Sequence, residues 1–272
     1  MTPAIIIFSD LDGTLLDHTS YSFEAALPAL QLIHQRKIPL ILVSSKTREE
    51  MHNYQRRLDL EAAPFVVENG SAIIGPRDFF SGVRQKKVIE HMDCLILGKT
   101  YSEIKSNLQE ISLKHRYTIR GFHNATLEEI QEKTRLSNKD AKMAMKREFS
   151  VPLFFDDQAE KILRQEKDKY QLQILLGGRF MHLLGMTDKG KAVRLILNQY
   201  REKNPGLVIK SIVLGDSLND EAMLQAADYP VLVKKKDGFH EKRIKIEGLI
   251  HSPGIGPHGW NQSLMNLLNE GV

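Results

Sequence analysis

The apolar run Ile5-Ile6-Ile7-Phe8 stops at Asp10-Leu11-Asp12-Gly13-Thr14, which sets two carboxylates at the end of a buried strand. An unpaired charge there is costly to desolvate, so a cation or dense hydrogen bonding must compensate it. The carboxyl ends of parallel strands are also where open α/β sheets bind ligands. In that position Asp10 can attack phosphorus as a nucleophile and Asp12 can handle protons, while Gly13 permits the tight turn that aims both at one point. A calcium-binding loop starting at Asp10 is excluded. Its sixth position is Leu15 where glycine is required, and its twelfth is Tyr21 where glutamate is required.

Strands and helices alternate after this point. Residues 23–36 carry Phe23, Leu27, Leu30 and Ile33 on one helical face, with Pro28 delaying the regular start. Residues 38–43 read as a second buried strand ending in Ser44-Ser45-Lys46-Thr47-Arg48, which opens a helix over residues 49–58. Phe65-Val66-Val67 reads as a third strand, and this order predicts a parallel sheet with right-handed crossovers. Between residues 84 and 185 the pattern changes to long charged helices, expected over residues 101–115 and 126–149, alternating with strands near residues 172–176 and 180–184. The expected organisation is a Rossmann-like α/β core formed by residues 1–83 and 186–272, interrupted by an α+β domain over residues 84–185.

Composition narrows the class. One cysteine, Cys94, rules out an intramolecular disulfide framework and suits a reducing compartment. The chain opens on no secretion signal and holds no apolar stretch of membrane-spanning length, so a cytoplasmic protein with no membrane partner is expected. The net charge of +4 reflects a lysine-rich surface. Lys234-Lys235-Lys236 and the basic stretch at 242–245 lack interleaved aromatics, which argues against nucleic acid. A monomer or weak homo-oligomer acting on a small molecule is the expectation.

A second acidic group follows another apolar strand, Ser211-Ile212-Val213-Leu214, as Gly215-Asp216-Ser217-Leu218-Asn219-Asp220. With Asp10 and Asp12, the residues Asp216 and Asp220 supply an all-oxygen metal environment that favours Mg2+ over zinc, and no His and Cys cluster rivals it. Ser44 ends its strand beside helix amides suited to an anion, and its hydroxyl can donate to a phosphoryl oxygen. Lys189, at the start of a helix with Val193, Ile196, Leu197 and Tyr200 aligned, can neutralise the nucleophile and the transferring group.

In this order Asp10-Leu11-Asp12-Gly13-Thr14, Ser44, Lys189 and the Asp216 loop resemble the four motifs of the haloacid dehalogenase (HAD) superfamily of aspartate-nucleophile phosphatases. The resemblance implies attack by Asp10, acid and base roles for Asp12, a Mg2+ site at Asp10, the Asp12 carbonyl and Asp216, supported by Asp220, and a phosphoryl cradle of Ser44, Lys46 and Lys189. Core motifs alone leave a sugar phosphatase and a phosphosugar mutase both open. Ser44 through Arg48, Arg147-Glu148-Phe149-Ser150-Val151-Pro152-Leu153, Gly177-Gly178-Arg179-Phe180 and Gly256-Pro257-His258-Gly259-Trp260-Asn261 resemble the mannosyl-3-phosphoglycerate phosphatase branch. That narrower likeness implies a phosphorylated sugar as substrate, a compatible solute as product, and Arg179 facing the substrate's glycerate carboxylate or sugar.

Overall fold

The computed structural model describes residues 4–83, 85–177 and 179–271. Gly178 and the junction expected at Arg84 lie outside the described residues. In chain order the elements open with β1 (Ala4–Ser9), α1 (Leu27–Gln35), β2 (Leu40–Leu42), α2 (Arg48–Leu58), β3 (Phe65–Val67), β4 (Ala72–Gly75), β5 (Lys87–Ile89) and β6 (Met92–Ile96). There follow α3 (Tyr101–His115), α4 (Leu127–Thr134), α5 (Asn138–Met145), β7 (Ser150–Leu153), α6 (Asp157–Glu166), β8 (Leu172–Leu176) and β9 (Met181–Gly185). The chain closes with α7 (Lys189–Lys203), β10 (Ile209–Gly215), α8 (Glu221–Leu224), β11 (Tyr229–Lys234), β12 (Ile250–Ile255) and α9 (Gly256–Asn269).

The central sheet is parallel throughout, in the order β12-β11-β10-β1-β2. Side chains alternate across it, so both faces of β1 are apolar and both are covered. Ile7 packs with Ala29 and Ile33 of α1, Met51 of α2 and Trp260 and Leu264 of α9. Ile6 and Phe8 pack on the other face with Ala192, Val193 and Ile196 of α7 and Met223 of α8. This is the doubly wound α/β core expected from the sequence, and it brings the ends of β1, β2 and β10 to one edge.

The structure departs from three local expectations. Leu27 is 40% exposed, and Ala29 and Ile33 form the buried face of α1. A 3-10 turn over Glu24–Ala26 precedes the helix and turns Leu27 outward, while Phe23 and Leu30 still pack against the core as expected. Strand β3 runs parallel to the chain after β2, through a bridge between Val43 and Val66 and bonds from Ser44 N–H to Val66 O and from Glu68 N–H to Lys46 O, and on its other side it leads an antiparallel sheet, β3-β4-β6-β5. Beyond the junction expected at Arg84 this sheet continues, because β5 and β6 hydrogen-bond back to β4. The helix expected over residues 126–149 is two helices. Arg135 ends α4 in the left-handed region at φ 59°, and the Ser137 hydroxyl caps α5.

Within the insertion, β7, β9 and β8 form an antiparallel sheet in that order. One face, including Val151, Met181 and Leu183, packs on Ile104 and Leu108 of α3 and Ile162 of α6. Pro152 and His182 pair across the strands at the alternate positions, on the face away from these helices. Among the described residues no helix is long and apolar enough to cross a membrane.

Candidate active site

The end of β1 is fixed from three directions. Asp10 N–H donates to Leu214 O at 2.9 Å, the Ser9 hydroxyl donates to Asp10 O at 2.6 Å, and the buried Trp260 indole donates to that hydroxyl at 2.9 Å. Gly13 then turns the chain at φ +83°, and a Cβ there would lie 2.8 Å from Asp216 Oδ2. Conformation and space both demand glycine, because the two acidic loops touch at this point. On the neighbouring strand, Asp220 Oδ2 accepts from the N–H groups of Asp216 and Ser217 at 3.0 and 3.1 Å, tightening the loop after β10.

Lys189 completes the group. It is 1% exposed, and its Nζ sits 2.6 Å from both Asp10 Oδ1 and Asp220 Oδ1. Its position depends on Asp188, which caps α7 through Lys191 N–H, and on Gly70, where a Cβ would stand 2.2 Å from Asp188 O. One oxygen from each of Asp10, Asp216 and Asp220 falls within 4.8 Å of the others. Three buried carboxylates against one buried ammonium leave an excess of negative charge. Burial, followed by the charges of Asp220 and Asp12 and opposed by Lys189, pushes the Asp10 carboxyl up to about 7. Burial, with the charges of Asp220 and Asp10 adding to it, holds Asp216 well above the ordinary range, whereas Asp10 and Asp220 keep Lys189 protonated despite its burial. An all-oxygen, electron-rich cluster of this kind fits a hard divalent cation such as Mg2+. Both Asp220 oxygens already hold hydrogen bonds, so a cation here would be held directly by Asp10 and Asp216, with Asp220 positioning them.

The structure places Asp12 outside that trio. Its Oδ2 is 2.8 Å from Lys46 Nζ, and its Oδ1 is buried without a hydrogen-bond partner among the described residues. Lys46, expected from sequence to face phosphate, is therefore the partner of Asp12. Burial opposes the Lys46 charge, but Asp12 and Glu50 outweigh it and raise its proton affinity. The Ser44 side chain is buried at the end of β2, with its Oγ accepting from Lys46 N–H at 3.3 Å. Arg179 is exposed and bridges insertion and core: its guanidinium donates to Thr134 O at 2.7 Å and to the Tyr21 hydroxyl at 3.0 Å.

Sequence reasoning missed a buried linkage between these parts. Glu68, just after β3 at φ 49°, accepts from Glu148 N–H at 2.8 Å, Phe149 N–H at 3.3 Å and the Ser150 hydroxyl at 2.6 Å. Arg147 lies 4.0 Å from Glu68 and donates to Ser45 O at 2.6 Å, so the entrance to β7 is tied to the Ser44 loop. Burial raises the Glu68 carboxyl, with Arg147 and these donors opposing the shift. The only signal in the chain was Glu68-Asn69-Gly70 at a strand end, which also reads as an ordinary turn. His182 was missed as well. Burial, with Arg147 and Lys189 adding like charge, lowers its imidazole to about 3, so it is neutral at neutral pH.

Comparison with known proteins agrees with this geometry. Residues 7–238 match the family described as haloacid dehalogenase-like hydrolase. The chain is 40% identical over 269 residues, 97% of each chain, to a glucosyl-3-phosphoglycerate/mannosyl-3-phosphoglycerate phosphatase of Methanococcoides burtonii. It is 39% identical over 98% of each chain to a protein of the same name from Persephonella marina. Among solved structures, a HAD superfamily phosphatase from Bacteroides thetaiotaomicron aligns with a TM-score of 0.66 at 15% identity, covering 99% of this chain and 96% of that one, a likeness of fold.

Proposed function

The chain belongs to the haloacid dehalogenase-like hydrolases, and within that family we propose that it is a Mg2+-dependent phosphatase releasing phosphate from mannosyl- or glucosyl-3-phosphoglycerate. The observation that carries the chemistry is Asp10, held by Lys189 at one oxygen and beside Asp216 in a cluster with excess negative charge. The substrate class rests on the two full-length relatives and on Arg179, which has no carboxylate partner among the described residues.

The free oxygen of Asp10 attacks phosphorus in line, and the bond from phosphorus to the glycerate oxygen breaks. Asp12 delivers a proton to that leaving oxygen. It then takes a proton from water, whose oxygen bonds to phosphorus as the bond to Asp10 breaks, returning the Asp10 carboxylate and releasing phosphate. Lys189 and Ser44 hold phosphoryl oxygens, and Lys46 keeps Asp12 in place. A Mg2+ held by Asp10, Asp216 and the Asp12 carbonyl would screen the carboxylate from the phosphate it approaches.

A phosphate-release screen over glycosyl-3-phosphoglycerates and hexose phosphates tests this reading. The expected result is phosphate from the former at the highest kcat/KM; an isomerised phosphosugar with no phosphate release would make the chain a mutase instead. Chelation should abolish turnover and Mg2+ restore it, with Asp216→Ala sharply weakening the rescue. Proton linkage supplies a second readout. The folded-state Asp10 value of about 7 exceeds its ordinary 3.8, so the folded chain binds the extra proton and loses stability as pH rises through that interval. The chelated protein should therefore unfold at lower temperature at about pH 8 than at about pH 5, and added Mg2+ should narrow the gap. A gap of equal size with and without Mg2+ would contradict the assigned ligands.

A further inference from the structure

Tyr21 has no part in the family motifs, yet it stands where insertion and core meet. The turn that carries it is closed on itself: Asp17 Oδ1 accepts from Thr19 and Ser20 N–H, Tyr21 N–H donates to Asp17 O at 2.9 Å, and Asp17 N–H donates to Ser22 O at 2.8 Å. This closure forces Tyr21 to φ 55°, a conformation that an aromatic residue rarely adopts. Such an outlier persists only where its surroundings over-determine it, and it invites a functional explanation. The forced conformation gives Tyr21 two contacts. Its ring lies 5.1 Å from Lys46 Nζ, with the Tyr54 ring 5.6 Å from the same ammonium, and Lys46 is the partner of Asp12. Its hydroxyl accepts from Arg179 at 3.0 Å, and the hydroxyl's own proton has no acceptor among the described residues.

We infer that Tyr21 is a specificity-determining residue, whose hydroxyl and the Arg179 guanidinium together form a two-donor site for the carboxylate of the substrate. A carboxylate accepts two parallel hydrogen bonds, and a phenol beside a guanidinium offers donors of the matching geometry and charge. The ring does separate work: its face holds the Lys46 ammonium, as aromatic faces hold cations, and so steadies Asp12 at the reacting centre. Carboxylate recognition on the insertion side and proton handling on the core side thus share one residue. The inference rests on the proposed phosphatase reading and adds the residue that selects a carboxylate-bearing substrate.

Tyr21→Phe keeps the ring and removes only the hydroxyl. The ratio of kcat/KM for mannosyl-3-phosphoglycerate to that for phenyl phosphate should fall by about ten- to a hundredfold, mostly through KM. In an Arg179→Ala background the same substitution should cost far less, since the two donors act together. Tyr21→Leu should lower kcat on both esters beyond the effect of Tyr21→Phe, because Lys46 loses its aromatic face. An unchanged ratio in Tyr21→Phe, or fully additive losses with Arg179→Ala, would overturn the inference. Should the wild type hydrolyse phenyl phosphate and no glycosyl-3-phosphoglycerate, the substrate reading fails. Tyr21 is then judged on 3-phosphoglycerate against glycerol 3-phosphate, which differ in the carboxylate. Tyr21→Phe must still reduce that preference, and an unaltered preference refutes its role.

Discussion

Asp10→Asn should fold normally and lose turnover by roughly a thousandfold or more, equivalent to at least about 4 kcal/mol of activation free energy. The substitution keeps the shape of the side chain and removes the charge that attacks phosphorus. Stability should be equal to or greater than that of wild type in the absence of metal. Burial already raises the Asp10 carboxyl to about 7, so the folded state does not welcome its charge. Lys189 retains Asp220 as its partner in the variant. Steady-state phosphate release with thermal unfolding on the same preparation checks both halves. A folded variant with more than about a tenth of wild-type turnover would remove Asp10 from the nucleophile role.

Lys189→Met carries the largest expected cost in stability. The ammonium is buried between Asp10 and Asp220, and its removal leaves carboxylates facing one another with no cation among them. Removing one partner of a buried pair typically costs about 3–5 kcal/mol, so denaturant unfolding of the chelated variant should show a loss of that order and turnover should be absent. If the single variant does not fold, Lys189→Met with Asp220→Asn separates the causes: stability should return in part, because one uncompensated charge is gone, while activity should not. A chelated Lys189→Met protein as stable as wild type would mean that the lysine does not compensate the cluster.

The core of the site was legible because a buried strand ending in a carboxylate is an expensive combination that few structures tolerate. Asp10 after β1 and Asp216 after β10 stood out on that ground, and Lys189 at the head of α7 by its order among the family motifs; the structure brings the three together. The antiparallel partner that β3 takes on its other side was not legible, since three apolar residues fit parallel and antiparallel partners equally. The break between α4 and α5 was hidden because Arg135, an ordinary helix former, adopts the left-handed conformation usually left to glycine. The family resemblance implied phosphate for Lys46, yet only the fold reveals that Asp12 reaches it. Glu68 was invisible for a similar reason: its role depends on Ser150 and the amides of Glu148 and Phe149, some eighty positions away in the chain.

The central claim is that phosphate passes through the side chain of Asp10. Acid quenching during turnover of mannosyl-3-phosphoglycerate labelled with radioactive phosphorus, followed by peptide mapping, tests it most directly. The account predicts label on the peptide that contains Asp10, increased when Asp12→Asn slows hydrolysis of the intermediate and absent in Asp10→Asn. Rapid release of labelled phosphate with no labelled peptide at any time, in wild type and in Asp12→Asn alike, would contradict it.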